Sequence, residues 1–135
     1  MEFQLVPSEG ALPLKFGITR NEASQILRKE ANSIHVGNSI SSRIEYFREF
    51  GVNLHYDKSF LLYEIVFYPT RDLVVRFDKL LVIHGKRYFH KRIYQECSKI
   101  DTLVDNLGTI GFPVLGIYLP KNLSDWKAIS IRAIL

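Results

Sequence analysis

Cys97 is the only cysteine in the chain. An intramolecular disulfide and a multi-cysteine zinc cluster are thereby excluded, and folding does not depend on an oxidising compartment. Long apolar runs are missing too. Nowhere do about 18 apolar residues follow one another, and the opening MEFQLVPSEGALPLKF lacks a basic leader followed by an apolar core. Neither a signal peptide nor a transmembrane segment is expected, and a cytoplasmic location is. GxSxG, P-loop and GxGxxG motifs are all absent, which removes the commonest routes to hydrolysis and nucleotide binding. Without a linker, repeat or low-complexity tract, residues 1–135 are expected to form one globular domain, with 47% hydrophobic and 24% charged residues to build it. Excess charge of one sign is also slight. Eighteen Lys and Arg against 14 Asp and Glu leave +4, far from the dense basic runs of a dedicated nucleic-acid binder.

What is present begins with Val52 to Ile83, where β-branched and aromatic residues come in short runs divided by turn chemistry. Val52, Leu54 and Tyr56 alternate with Asn53 and His55, the period of a half-buried strand. Phe60 to Tyr68 is apolar except at Glu64, so a central strand covered on both faces is predicted there. Asp72 to Phe77 and Leu80 to Ile83 complete a four-strand meander, joined by a hairpin at Asp78-Lys79.

Before the meander, Phe3 to Val6 and Leu12 to Phe16 read as short strands around a Pro7 to Gly10 turn. Thr19 and Glu22 form a reciprocal capping box, and Ala23, Ile26 and Leu27 share one face of a helix from Arg20 to Ala31. Asn32 to Asn38 reads as loop. Ile40, Ile44 and Phe47 have helical spacing, with Gly51 as the stop. After the meander, Phe89, Ile93, Cys97, Ile100, Val104 and Leu107 recur every three or four residues, predicting an amphipathic helix, or two broken near Ser98, ending at Gly108. Phe112 to Leu119 reads as a strand in which Gly116 permits close approach of a neighbour, and Trp126 to Leu135 as a last strand that can pair with it antiparallel. The fold expected is therefore α+β, a single mainly antiparallel sheet of about five to seven strands with two or three helices packed on it.

Few residues offer chemistry. His35, His55, His84 and His90 lack the close spacing that would hold a metal, so no metal, cofactor or catalytic set is expected. His55, on the polar side of its strand, is read as solvent-facing or hydrogen-bonded rather than as a general base. Cys97 falls in register with the apolar helix positions and is read as a small core residue. Glu64 needs a partner if buried, and Arg76 on a neighbouring strand is the expected one; a functional acid is the weaker reading. The most distinctive surface feature is GKRYFHKRIYQECSK, residues 85 to 99. There Lys86, His90 and Tyr94 would share a helical stripe, with Arg87 and Lys91 beside them, presenting cations and an aromatic together. Such a surface suits an acidic protein or nucleic-acid phosphates and bases, while a merely solvated helix face is the plain alternative.

The order of features, GITRNEA opening a helix, FGVNLHYD before the meander, VVRFDKLLV as a hairpin, then GIYLP and AISI, resembles small bacterial immunity proteins encoded beside polymorphic toxins, including those of contact-dependent growth inhibition systems. The resemblance implies a non-enzymatic cytoplasmic protein that binds a cognate toxin domain and blocks its active site, and it carries over no set of family residues. Partner contacts are assigned to Lys86, Arg87, His90, Lys91 and Tyr94. A nuclease toxin would have to meet a local acidic patch, such as Glu45, Glu49 and Asp57, or be blocked away from its substrate groove. The alternatives are a small nucleic-acid-binding module using helix 85–99, and an enzyme whose site is assembled from residues distant in sequence.

Overall fold

The computed structural model describes residues 1–29, 36–38, 43–106, 109–120 and 128–134. In chain order the elements are β1 (Glu2–Val6), β2 (Gly10–Leu12), β3 (Leu14–Lys15), α1 (Arg20–Lys29), β4 (Val36–Asn38), β5 (Ile44–Phe47), a 3-10 turn at Arg48–Phe50 and β6 (Val52–Tyr56). There follow β7 (Leu62–Phe67), β8 (Val74–Phe77), β9 (Leu80–His84), β10 (Arg87–Tyr88), α2 (His90–Ile100), β11 (Val104–Asn106), β12 (Thr109–Phe112), β13 (Ile117–Pro120) and β14 (Ile129–Arg132).

The class is α+β, but the strands make two sheets rather than one. Six run in the order β10-β9-β8-β1-β2-β3 and eight in the order β11-β12-β13-β14-β7-β6-β5-β4. Pairing is antiparallel throughout except between β1 and β8, which run parallel. The expected meander is thus divided, with β6 and β7 in the larger sheet and β8 and β9 in the smaller. The cause lies in the connection after β7. Asp72 adopts a left-handed φ of 70°, the Leu73 amide bonds back to the Thr70 carbonyl, and β8 leaves its neighbour to pair with the N-terminal strand. β7 remains interior, between β14 and β6, but its length is Leu62–Phe67; Phe60 is a 53% exposed turn residue with a φ of 60°.

The two sheets share one contiguous hydrophobic core. Phe3 of β1 packs on Phe67 of β7 with ring centroids 5.0 Å apart, and Leu5, Val75, Leu54, Ile65, Ile129 and Ile131 are buried with them. Burying each such side chain contributes roughly 1.5–3 kcal/mol. Helix α2 buries Ile93 and Cys97 and contacts both β9 and β13, so it bridges the two sheets. The capping box of α1 is formed: the Glu22 amide donates to Thr19 Oγ1 at 3.2 Å, and the Thr19 amide donates back to Glu22 Oε1 at 3.5 Å.

Other boundaries move for identifiable reasons. Ile44–Phe47 is a strand, because Phe47 pairs with Val52 and Ile44 with His55 across a short turn; Gly51 does take a left-handed conformation, but ends only the 3-10 turn. Val36–Asn38, read as loop, pairs with β5. Only His90–Ile100 of the long predicted helix is helical, since Arg87–Tyr88 pairs with β9 and Val104–Asn106 with β12. The segment read as one strand over Phe112 to Leu119 is two, β12 and β13, joined by a turn that contains Gly116 at a φ of 70°. There the close approach is real, because a Cβ on Gly116 would lie 2.3 Å from the Arg132 carbonyl oxygen. β13 and β14 pair antiparallel as read. Ala31, His35, Ile40, Leu107, Gly108 and Trp126 lie outside the described residues.

Candidate partner-binding face

Helix α2 begins without a side-chain cap at Phe89 and without an acidic residue in its first turn. Instead Arg92 stacks over the Phe89 ring at 4.4 Å and its amide bonds to the Phe89 carbonyl. At the other end Asp101 acts as a clamp. Its Oδ1 accepts the Thr102 amide and its Oδ2 accepts the Val114 amide, both at 2.7 Å, fastening the end of the helix to the β12–β13 turn. Cys97 is fully buried, and burial first, then Asp101 and Glu96, pushes its thiol up to about 12, which keeps it protonated and inert.

The structure separates the five predicted contact residues into two groups. Lys86 lies in the β9–β10 turn and Arg87 on β10, so the helical stripe of Lys86, His90 and Tyr94 is not formed. His90, Lys91 and Tyr94 do converge. With Gln95 they line one side of a slot of about 200 Å³ whose other wall is Ile110, Leu119 and Pro120 of the larger sheet. The Tyr94 ring stands edge-on to Phe112 at 6.0 Å and remains 38% exposed. Tyr88, by contrast, is turned inward: its hydroxyl donates to the Ala128 carbonyl at 3.0 Å, and burial raises its pKa.

On the opposite flank of α2 lies a wider groove of about 660 Å³ against the smaller sheet, with Leu5, Phe77, Leu80, Ile100 and Leu115 among its lining and Asp78, Lys79 and Glu96 giving charges of both signs. Ile100, in its lining, is 59% exposed, and Leu103 and Val104 after the helix and Val114 in the β12–β13 turn are 41, 47 and 66% exposed. The exposure of Ile100 and Val104 is not legible in the sequence, because both continue the helical spacing of the buried stripe.

A polar row also crosses the outer face of the larger sheet. Glu64 is buried, and its Oε2 accepts Ser130 Oγ at 2.7 Å and Arg132 Nε at 2.6 Å. Arg132 in turn lies 4.0 Å over the Tyr118 ring. The partner of Glu64 is therefore Arg132 rather than Arg76, which pairs with Glu2 at 2.7 Å. His55 Nδ1 is 3.7 Å from Glu64 Oε1, beyond hydrogen-bond reach. Burial pushes the His55 pKa down, Glu64 opposes that, and Arg132 adds to it. Because Ser130 donates to the carboxylate and not to the imidazole, the row does not form the hydroxyl–imidazole–carboxylate relay that activates a serine.

The acidic patch is not presented to a partner as a unit. Glu45 is 4% exposed and faces the core, where it accepts the Tyr56 hydroxyl and lies 3.6 Å from Arg20 Nε. Asp57 Oδ1 is turned onto the amides of Ser59 and Leu61. Among the described residues no three His, Cys, Asp or Glu side chains converge, and no helix is long and apolar enough to cross a membrane. No family model, curated protein or solved structure matches the chain.

Proposed function

We propose that this chain is a binding protein that neutralises a cognate bacterial toxin domain by forming a stoichiometric, non-covalent complex, with the α2 face as its interface. The observation that carries the binding class is the set of apolar side chains left exposed on and beside α2, Tyr94 on one flank, Ile100 on the other, and Val104 and Val114 beyond its end. Apolar side chains exposed beside a concavity supply anchoring points that a partner surface can use. Two concavities border the helix, and anchoring side chains of protein interfaces favour sites of that kind. The toxin as partner rests on the order of sequence features described above.

The direct test is to measure complex formation with the product of the neighbouring toxin gene. A one-to-one complex that abolishes toxicity is expected, and no complex with that product would reject the proposal. Charge reversal at Lys86 and Lys91 should slow association by about tenfold while leaving the fold intact, because rim charges chiefly steer encounter. Stopped-flow association rates of the wild type and the double variant measure this, and unchanged rates would move the contact surface elsewhere.

A further inference from the structure

The two concavities beside α2 differ in charge, and the difference defines what each can accept. The groove at Ile100 carries Asp78 and Glu96 as well as Lys79. Among the described residues the slot at Tyr94 has no carboxylate in its lining: its polar members are His90, Lys91 and Gln95, and its walls are Tyr94, Ile110, Leu119 and Pro120. Lys86 and Arg87 stand exposed in the hairpin just before the helix. Among the described residues, none of Lys86, Arg87, His90 or Lys91 is joined to a carboxylate, whereas Lys99 on the same helix pairs with Glu96 at 3.0 Å. The first turn of the helix holds no acidic residue, and the helix dipole disfavours the Lys91 cation there.

We infer that the slot at Tyr94 receives an acidic segment of a partner protein, with one apolar side chain inserted between Tyr94 and the Ile110–Leu119 wall and flanking carboxylates meeting His90 and Lys91. The inference rests on the reading of the chain as a protein-binding molecule, and it names the chemistry of the segment recognised. A cavity of about 200 Å³ suits a single leucine-sized or aromatic side chain rather than a whole small-molecule ligand. Tyr94 is held by its edge contact with Phe112, so the wall it forms is already in place before a partner arrives.

The test titrates the full isotope-labelled chain with a capped peptide holding one leucine between pairs of glutamates, and separately with its lysine counterpart. Saturable amide shifts at Tyr94, Gln95, Ile110 and Leu119 are expected with the acidic peptide and none with the basic one. In Lys91→Glu, affinity should fall by about tenfold or more. Tyr94→Ala should abolish saturation, and unchanged amide positions away from the slot check that its loss of the Phe112 contact leaves the fold in place. Equal response to both peptides, shifts confined to the Ile100 groove, or no saturable response would overturn the inference. Binding of the toxin separates the two proposals. If the toxin binds and Tyr94→Ala leaves its affinity unchanged, the slot inference fails while the immunity reading stands. If the acidic peptide occupies the slot but the toxin does not bind, the immunity reading fails alone.

Discussion

At the scale of single residues, the polar row on the larger sheet shows how a buried charge is accommodated. Glu64 is 7% exposed but accepts two hydrogen bonds at one oxygen, from Ser130 and from a guanidinium that is itself 42% exposed. Glu64→Ala leaves Ser130 without its acceptor but lets Arg132 turn toward water. The expected loss is therefore about 1–3 kcal/mol, nearer the cost of an unmet hydrogen bond than of a stranded buried charge. Urea unfolding measures it, and a change under about 0.5 kcal/mol would mean that the pairing is merely superficial. His55 makes a second prediction. Its folded-state pKa lies below the ordinary 6.5 because burial disfavours the imidazolium more than Glu64 favours it. Protonation therefore favours the unfolded chain: the full contribution to stability is present above pH 6.5 and is lost as pH falls from there toward the folded-state value. His55→Gln should flatten that acid-side decline, seen as a smaller difference between denaturation midpoints at about pH 7 and about pH 5. That Glu64 required a partner was legible from a lone carboxylate in an apolar run. That the partner would be Arg132 was not, since the two are brought together by a strand pairing 68 residues apart.

At the scale of elements, local chemistry was readable where the signal is confined to neighbours in sequence. The Thr19–Glu22 box opens α1 because both partners sit within one helical turn, and the Asp78-Lys79 hairpin forms between strands that were already apparent. The two misread helical stretches share one cause, which is that apolar spacing does not say what lies opposite. Phe47 satisfies a helical period with Ile44, yet its place opposite Val52 makes it a strand residue. Ile100 and Val104 continue the stripe of Ile93 and Cys97, but Asp101 ends the helix and the chain turns to pair with β12. Gly116 carries the sharpest test at this scale. Its φ of 70° lies in the left-handed region, its carbonyl accepts the Arg132 amide at 2.7 Å, and an added Cβ would meet the Arg132 carbonyl oxygen at 2.3 Å. Gly116→Ala should accordingly cost more than about 1 kcal/mol, because strain and backbone collision act together. A thermal midpoint equal to that of the wild type would show that the β12–β13 turn can shift freely.

At the scale of the whole molecule, the division into two sheets depends on contacts that no local pattern encodes. β1 lies parallel to β8, with Glu2 opposite Val74 and Leu5 opposite Phe77, and the N-terminal ammonium donates to the Asp72 carbonyl at 2.7 Å. The first residues of the chain thus complete a sheet begun in its middle, and β1 then turns Phe3 toward Phe67 of the other sheet. Because the aromatic pair belongs to both sheets, neither inner face is buried without the other, and the two should unfold as one cooperative unit. Phe67→Ala tests this by removing the larger-sheet half of the contact. The expected cost is about 3–5 kcal/mol, a large fraction of a typical domain's stability. If the core is shared as described, amide exchange should accelerate by similar factors in β8 and β1 of the smaller sheet and in β7 and β14 of the larger, although the substitution lies in only one of them. Acceleration confined to β6, β7 and β14, with β1 and β8 still protected, would show instead that the smaller sheet and its bound N-terminus hold their structure independently.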